Sequence, residues 1–368
     1  MYESEANKIK GGLALKKNIL FLLIFTLSAL LFVAGCGDNT DKDNKGSDGD
    51  SGNSSETQDT DKDDDQKYVI KFAHVVSATT AKGKAAEKFG ELIEEKTDGR
   101  ITVEIFPDSQ LGSDREIIEQ MQSGTVQMNA PFTGVLPSFV KEYEIFDLPY
   151  LFSDKDHAYK ATHGELGTLL GDKLKDQGLY VLGFWDGGFK HLTNSKLPIE
   201  TPDDVAGLKL RVSQSPLLIS QFEALDAAGV SIDFAELYTA LQTKTVDGQE
   251  NPLSNVISKK FQEVQDYITL SGHGYMGYVL AISDDFYQDL PDDLQTAINE
   301  VSEEVGKWQW EQAELDEVEY MKELNDSDIQ ITELTAEQKQ AFSEAMAEVY
   351  DTFKEIDGSE ELLEAVDK

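Results

Sequence analysis

Residues 238–255 read YTALQTKTVDGQENPLSN, and the rest of the chain is organised around this stretch. Tyr238, Leu241 and Gln242 recur at the spacing of one helix face, and Gly248 ends that pattern. Asn251-Pro252 then reads as a helix start, because Asn is a favoured N-cap and Pro suits the first helical position. The amides and dipole of such a start favour an anion. Upstream, residues 68–76 alternate as a strand, and 79–97 carry Ala85, Phe89, Leu92 and Ile93 at helical spacing until Asp98-Gly99. A strand over 101–106, a helix over 114–122 and a strand over 126–130 follow. This order predicts an α/β chain with a parallel sheet covered by helices. Ligands bind such sheets at the carboxyl ends of strands, which directs attention to His74, Phe132 and Thr133. Residues 154–176 read as one helix and 179–184 as a strand, with a break at Gly187-Gly188 and new extended structure over 189–194. A second set covers strands at 208–212, 230–232 and 247–249, helices at 216–228 and 234–243, and a return strand at 278–282. Long helices are expected over 292–324 and 335–353, separated by a short strand at 329–332. No proline-rich linker parts the two sets.

The chain has 368 residues, two-fifths of them apolar, and a net charge of -38. That charge argues against nucleic acid as a partner. Cys36 is the only cysteine, which excludes an intramolecular disulfide and a cysteine metal cluster. None of the five histidines forms an HExxH pair, and no GxSxG elbow, Walker loop or dinucleotide fingerprint occurs. No cofactor is expected. Lys8, Lys10, Lys16 and Lys17 precede a largely apolar run of sixteen residues, 18–33, too short to span a bilayer. The run ends in Val33-Ala34-Gly35-Cys36, which matches a lipobox, so residues 1–36 read as an export signal with Cys36 as the lipidation site. Residues 37–66 hold eleven acids, three lysines and no apolar residue. That composition predicts a disordered acidic tether. With +2 on residues 1–36 and -8 on 37–66, the part expected to fold carries -32 of the total -38.

Seven segments run in order: KFAHVVS (71–77), FPDSQLGSDRE (106–116), FDLPYLF (146–152), GFKHLTNSK (188–196), GLKLRV (207–212), VDGQENPLSN (246–255) and LPDDLQ (290–295). Together they resemble the solute receptors of tripartite ATP-independent periplasmic (TRAP) transporters, of the DctP type, over about residues 68–350. The resemblance implies a two-lobe, type II-like periplasmic-binding-protein fold, with mixed sheets flanked by helices and a long helix spanning both lobes. It places lobe I near 67–188 and 277–316, and lobe II near 189–276 and 317–368, with candidate hinges at Gly187, Gly188 and 274–277. It also implies a small and a large membrane subunit as partners; combined with the lipobox at Cys36, this predicts a lipid-anchored receptor on the extracytoplasmic face of the cell membrane.

By spacing alone, Arg211 shares the polar face of a strand with Lys209, and such a residue is most often solvated. The resemblance makes Arg211 the carboxylate ligand, in keeping with the bidentate grip of a guanidinium. It gives Asn251 the same carboxylate and makes Lys190 a cation that meets the solute. Phe234 falls on the family's pocket-lining turn, and Trp185 reads equally as core or pocket wall. Phe132 and Val135 are apolar where the sialic-acid branch carries charge, which argues against a large sugar acid. Two cations suit a four-carbon dicarboxylate such as malate, succinate or fumarate; a monocarboxylate or small sugar acid would need only Arg211 and Asn251. An extracellular enzyme acting on acidic sugars would need a positioned acid and base, and nothing in the sequence marks one. The motif series argues against an ATP-driven importer, whereas a membrane sensor kinase is a compatible second partner.

Overall fold

In YVIKFA the alternating positions sort cleanly: Ile70 and Phe72 are fully buried while Val69 stands at the surface, which makes β1 (Tyr68–Ala73). The computed structural model describes residues 66–368, so the signal, the lipobox and nearly all of the acidic tether lie outside the described residues. Helix α1 (Ala81–Lys96) starts where Thr80 accepts a hydrogen bond from the Gly83 amide, and it buries Ala85, Phe89 and Ile93. Strand β2 (Ile101–Phe106) lies parallel to β1. Helix α2 (Asp114–Gln122) opens on a capping box between Ser113 and Glu116, and β3 (Met128–Asn129) pairs with the other edge of β1.

Residues 154–176 form two helices rather than the expected one, α3 (Lys155–His163) and α4 (Glu165–Lys175). The backbone of Gly164 is non-helical, and a Cβ there would lie 2.7 Å from the Lys160 carbonyl oxygen. Strand β4 (Leu179–Asn194) runs straight through the expected break at Gly187-Gly188. The two glycines mark a register shift between Asp186 and Gly188, where Gly188 takes φ +97. They bend the strand as a bulge instead of ending it.

The next elements are β5 (Lys209–Val212), α5 (Pro216–Glu223), β6 (Ala228–Ser231), α6 (Leu237–Gln242), β7 (Gly248–Asn251) and α7 (Leu253–Ser258). The short return strand expected at 278–282 is the end of a 17-residue strand, β8 (Tyr267–Ser283), antiparallel to β4. After α8 (Asp284–Gln288) comes α9 (Asp292–Asn325), 34 residues long, and then β9 (Gln330–Glu333). The helix expected over 335–353 is divided into α10 (Ala336–Ala345) and α11 (Glu348–Phe353), and α12 (Ser359–Ala365) follows.

The strands join into one mixed sheet of order β2-β1-β3-β8-β4-β7-β5-β6, with β9 on β8. They form one path because β4 and β8 are long enough to carry strands at both ends. A large apolar cluster spans β1, α1 and the first part of β4, and a smaller one packs Leu241, Val256, Phe261 and Ile268 beneath α6 and α7. Helix α9 lies against α1, β4 and α7 and so touches both regions. Gln309 of α9 binds the amide and the carbonyl of Asp186 at 2.8 and 2.7 Å, pinning the helix to the bulge.

Candidate functional site

Strand β5 runs between β6 and β7, with Arg211 in register with Val230 and Gln249. Leu210 and Val212 point into the core, so alternation turns Arg211 to the opposite face. Arg211 is nevertheless only 5% exposed, because that face forms the wall of a cleft of about 640 Å³, open mouth included. Its Nε donates to the Ile232 carbonyl at 2.8 Å, and its guanidinium carbon lies 6.0 Å from the centre of the Phe234 ring. Burial lowers the pKa to about 10, against the opposing pull of Glu250 and Asp233. Arg211 therefore stays charged at neutral pH.

Asn251 also lines the cleft, but it is the last residue of β7. It does not cap α7: Pro252 holds that position without a side-chain cap, and the helix has only six residues. The amide is instead fixed by its neighbours. Asn251 donates to Gln249 Oε1 and accepts from Asn255 at 2.8 Å. Gln249 in turn donates to Thr193 Oγ1 at 2.9 Å, and Thr193 to Gln265 at 3.0 Å.

Phe234 lines the same cleft from the turn before α6, and Phe132 lines it from the segment after β3. The Phe132 ring lies over Gly134, where a Cβ would come within 2.4 Å of it. The other expected residues stand back from the wall. Lys190 is fully buried and its Nζ is 2.6 Å from Glu250 Oε2, so its charge is taken up within the protein. Burial works against the Glu250 carboxylate, but Lys190 and then His273 hold its pKa below the ordinary range. Glu250, not Lys190, reaches the cleft. Trp185 is a core residue, packed 6.2 Å from Phe72 and beside Gly306 of α9. His74 and Thr133 are fully buried, and the Thr133 hydroxyl has no protein partner among the described residues. Burial, then Lys82, lowers the His74 pKa to about 3, which keeps the ring neutral.

Several wall residues had no signal in the sequence reading. Arg115 of α2 lines the cleft, with Glu119 as an ion-pair partner at 3.2 Å along its own helix. Asp114, Gln214 and Asp233 face the same space. Beneath them Lys82 is buried, donates to the Ala130 carbonyl at 2.8 Å and sits 3.9 Å from the centre of the Tyr278 ring. Burial lowers its pKa to about 8 while Asp114 raises it. The motif GSDRE contained two of these residues, but only the fold brings the start of α2 opposite β5. Among the described residues no group of His, Cys, Asp and Glu could hold a metal ion, and no helix is long and apolar enough to cross a membrane.

An arginine and an amide thus share one wall of the cleft, and the fold that places them there is found in known proteins. The family described as bacterial extracellular solute-binding protein, family 7 (DctP), matches residues 72–356. The chain is 41% identical over 294 residues to the C4-dicarboxylate-binding periplasmic protein DctP of Rhodobacter capsulatus, covering 79% of this chain and 88% of that one. It is 40% identical over 311 residues to the C4-dicarboxylate-binding protein DctB of Bacillus subtilis, covering 82% and 89%. A TRAP periplasmic solute-binding protein from Sulfurospirillum deleyianum, solved with succinate, superposes with TM-score 0.79 at 40% identity, covering 82% and 98%. A sugar-acid-binding protein from Advenella mimigardefordensis, solved with galactonate, superposes with TM-score 0.80 at 33% identity, covering 82% and 98%. This chain belongs to the DctP family of bacterial extracellular solute-binding proteins and is an extracytoplasmic solute receptor of a TRAP transporter, a class that works with membrane transporter subunits.

Proposed function

We propose that the solute is a small carboxylate, a four-carbon dicarboxylate first, and that it binds between Arg211 and the start of α2. The observation that carries this reading is Arg211 itself: a charged guanidinium, almost wholly buried, oriented by the Ile232 carbonyl and facing a cleft. Burying such a charge costs free energy that an anionic partner offsets. Arg211 grips one carboxylate in a fork, and the amide of Asn251, held by Gln249 and Asn255, completes its shell. The second carboxylate meets Arg115, the other cation on the wall. Lys190 contributes indirectly, by holding Glu250 in place. The two relatives named for C4-dicarboxylates and the neighbour with succinate support this choice of solute. Phe132 and Val135 leave part of the facing wall apolar beside Asp114 and Arg115, which suits a short solute better than a long polyhydroxylated one.

In this reading, lobes near 67–188 with 277–316 and near 189–276 with 317–368 close over the solute, bending at the Gly187-Gly188 bulge and 274–277. The chain performs no chemistry. Cys36 carries the lipid anchor. Thermal shift of the 67–368 fragment against a carboxylate panel tests the solute class, since a ligand stabilises the fold by RT ln(1 + [L]/Kd). Stabilisation by succinate, malate or fumarate is expected; stabilisation by sugar acids alone would overturn the dicarboxylate choice. Recovery of mature, membrane-bound Cys36→Ser protein would refute the anchor.

A further inference from the structure

Strand β2 ends at Phe106, and the loop after it takes an uncommon course. Asp108 and Ser109 both sit in the left-handed region, at φ +53 and +59. Non-glycine residues keep that conformation only where the surrounding structure holds them. Here the Asp108 amide donates to the Val76 carbonyl at 3.0 Å, and the Ser109 amide to the His74 carbonyl at 3.2 Å. Ser109 lines the cleft, and the neighbouring Asp108 carboxylate meets the Lys259 ammonium at 2.6 Å. Lys259 caps the C-terminus of α7 and lies 151 residues further along the chain. The pair therefore joins the two parts assigned above to separate lobes. Lys259 also lies 5.6 Å from the centre of the Phe234 ring, which has the Arg211 guanidinium carbon at 6.0 Å. One aromatic ring of the cleft lining thus has both cations beside it.

We propose that Lys259 is the cation a carboxylate solute meets on arrival, and that Asp108 pairs with it only once the lobes have closed, latching the solute in. This rests on the receptor and lobe-closure reading above. The part from residue 67 onward carries -32, so an arriving anion needs a local positive site. With the lobes apart, Asp108 moves away with its own loop, and Lys259 stands charged beside Phe234 and Arg211. Closure brings Asp108 back, cancels that charge and adds an ion pair that must break before the solute leaves. The two residues therefore act on different rates: Lys259 on arrival and departure, Asp108 on departure alone. Both side chains are partly exposed, so each effect is modest, about two- to fivefold.

The test is stopped-flow binding and release of succinate, with galactonate as a second probe, followed by the tryptophan fluorescence of the purified full chain. Asp108→Asn should speed release about two- to fivefold and leave the association rate constant unchanged. Lys259→Met should speed release to the same extent and also slow association at low salt, an effect that shrinks as salt is added. Adding Asp108→Asn to Lys259→Met should change neither rate further, because no pair remains to break. Asp108→Asn that speeds association and leaves release alone would make Asp108 one more repelling charge and overturn the latch. Unchanged release in both single variants would overturn it as well. Association as fast in Lys259→Met as in the wild type at low salt would overturn the arrival role. All three of these results leave the receptor reading standing. Wild-type protein that binds neither succinate nor galactonate would overturn that reading and the proposal with it.

Discussion

On the wall that carries Arg211, polar side chains are joined to one another. Gln265, Thr193, Gln249, Asn251 and Asn255 form a continuous chain of hydrogen bonds, and the Ile232 carbonyl holds Arg211. Behind the facing side, His74, Asn129 and Thr133 are fully buried and stand back from the cleft wall. The first wall is oriented by the fold alone. The second keeps its buried polar groups behind the cleft surface. In the binding mode proposed above, the first side holds the carboxylate and the second meets the rest of the solute.

The largest effect expected from breaking this division is at Arg211. Arg211→Lys keeps the charge but loses the fork, and should cost on the order of 2–5 kcal/mol of binding free energy in titration calorimetry. Affinity equal to wild type would place the carboxylate elsewhere. Removing an orienting group should cost less. Gln249→Leu leaves the Asn251 amide and the Thr193 hydroxyl with one partner fewer, which is worth about 1–3 kcal/mol. Affinity should fall along with stability; unchanged affinity would mean that Asn251 is not a ligand.

Behind the same wall Asp147 is fully enclosed, and burial raises its pKa to about 7 despite Lys190. Its folded pKa thus exceeds the ordinary 3.8, so the folded state binds this proton more readily than the unfolded state. Stability from this group is present below pH 4 and is lost as pH rises to about 7. Asp147→Asn should therefore melt above wild type at pH 8, by about 2–4 °C for each kcal/mol regained, and match it near pH 4. Equal melting at both pH values would show that the carboxylate is better solvated than its burial implies.

Much of this molecule can be read from local pattern. Helix α2 has its expected bounds because a capping box and an apolar face coincide there, and α9 departs from expectation by one residue. Expectation failed where the outcome depends on a distant strand. Gly187-Gly188 looked like a terminus, but pairing with β8 carries β4 through it as a bulge. Lys190 looked like a free cation; β4–β7 pairing sets Leu192 opposite Glu250, so Lys190 lies diagonal to that acid and neutralises it. Arg211 is picked out by family resemblance, because strand alternation alone does not show that Ile232, Phe234 and the rest of the cleft enclose it. Asn251 reads locally as a helix cap but is the end of a strand; its solute role is implied by the resemblance, not by that cap.

The smallest effect concerns Lys259, which lies 5.6 Å from the centre of the Phe234 ring and pairs at 2.6 Å with Asp108, next to Ser109 of the cleft lining. Both side chains are partly exposed, so Asp108→Asn should weaken binding by no more than about 1 kcal/mol, and less in high salt. A larger, salt-independent loss in calorimetry would make this pair part of the site itself.

The account depends most on the solute bridging the two walls. Titration calorimetry of the wild-type 67–368 fragment with succinate and with butyrate, equal in chain length but lacking one carboxylate, tests this directly. Succinate should bind at least tenfold more tightly, a difference of about 1.4 kcal/mol. Replacing Arg115 with alanine should remove most of that advantage. Butyrate binding as tightly as succinate would contradict the claim that both walls hold a charged end of the solute.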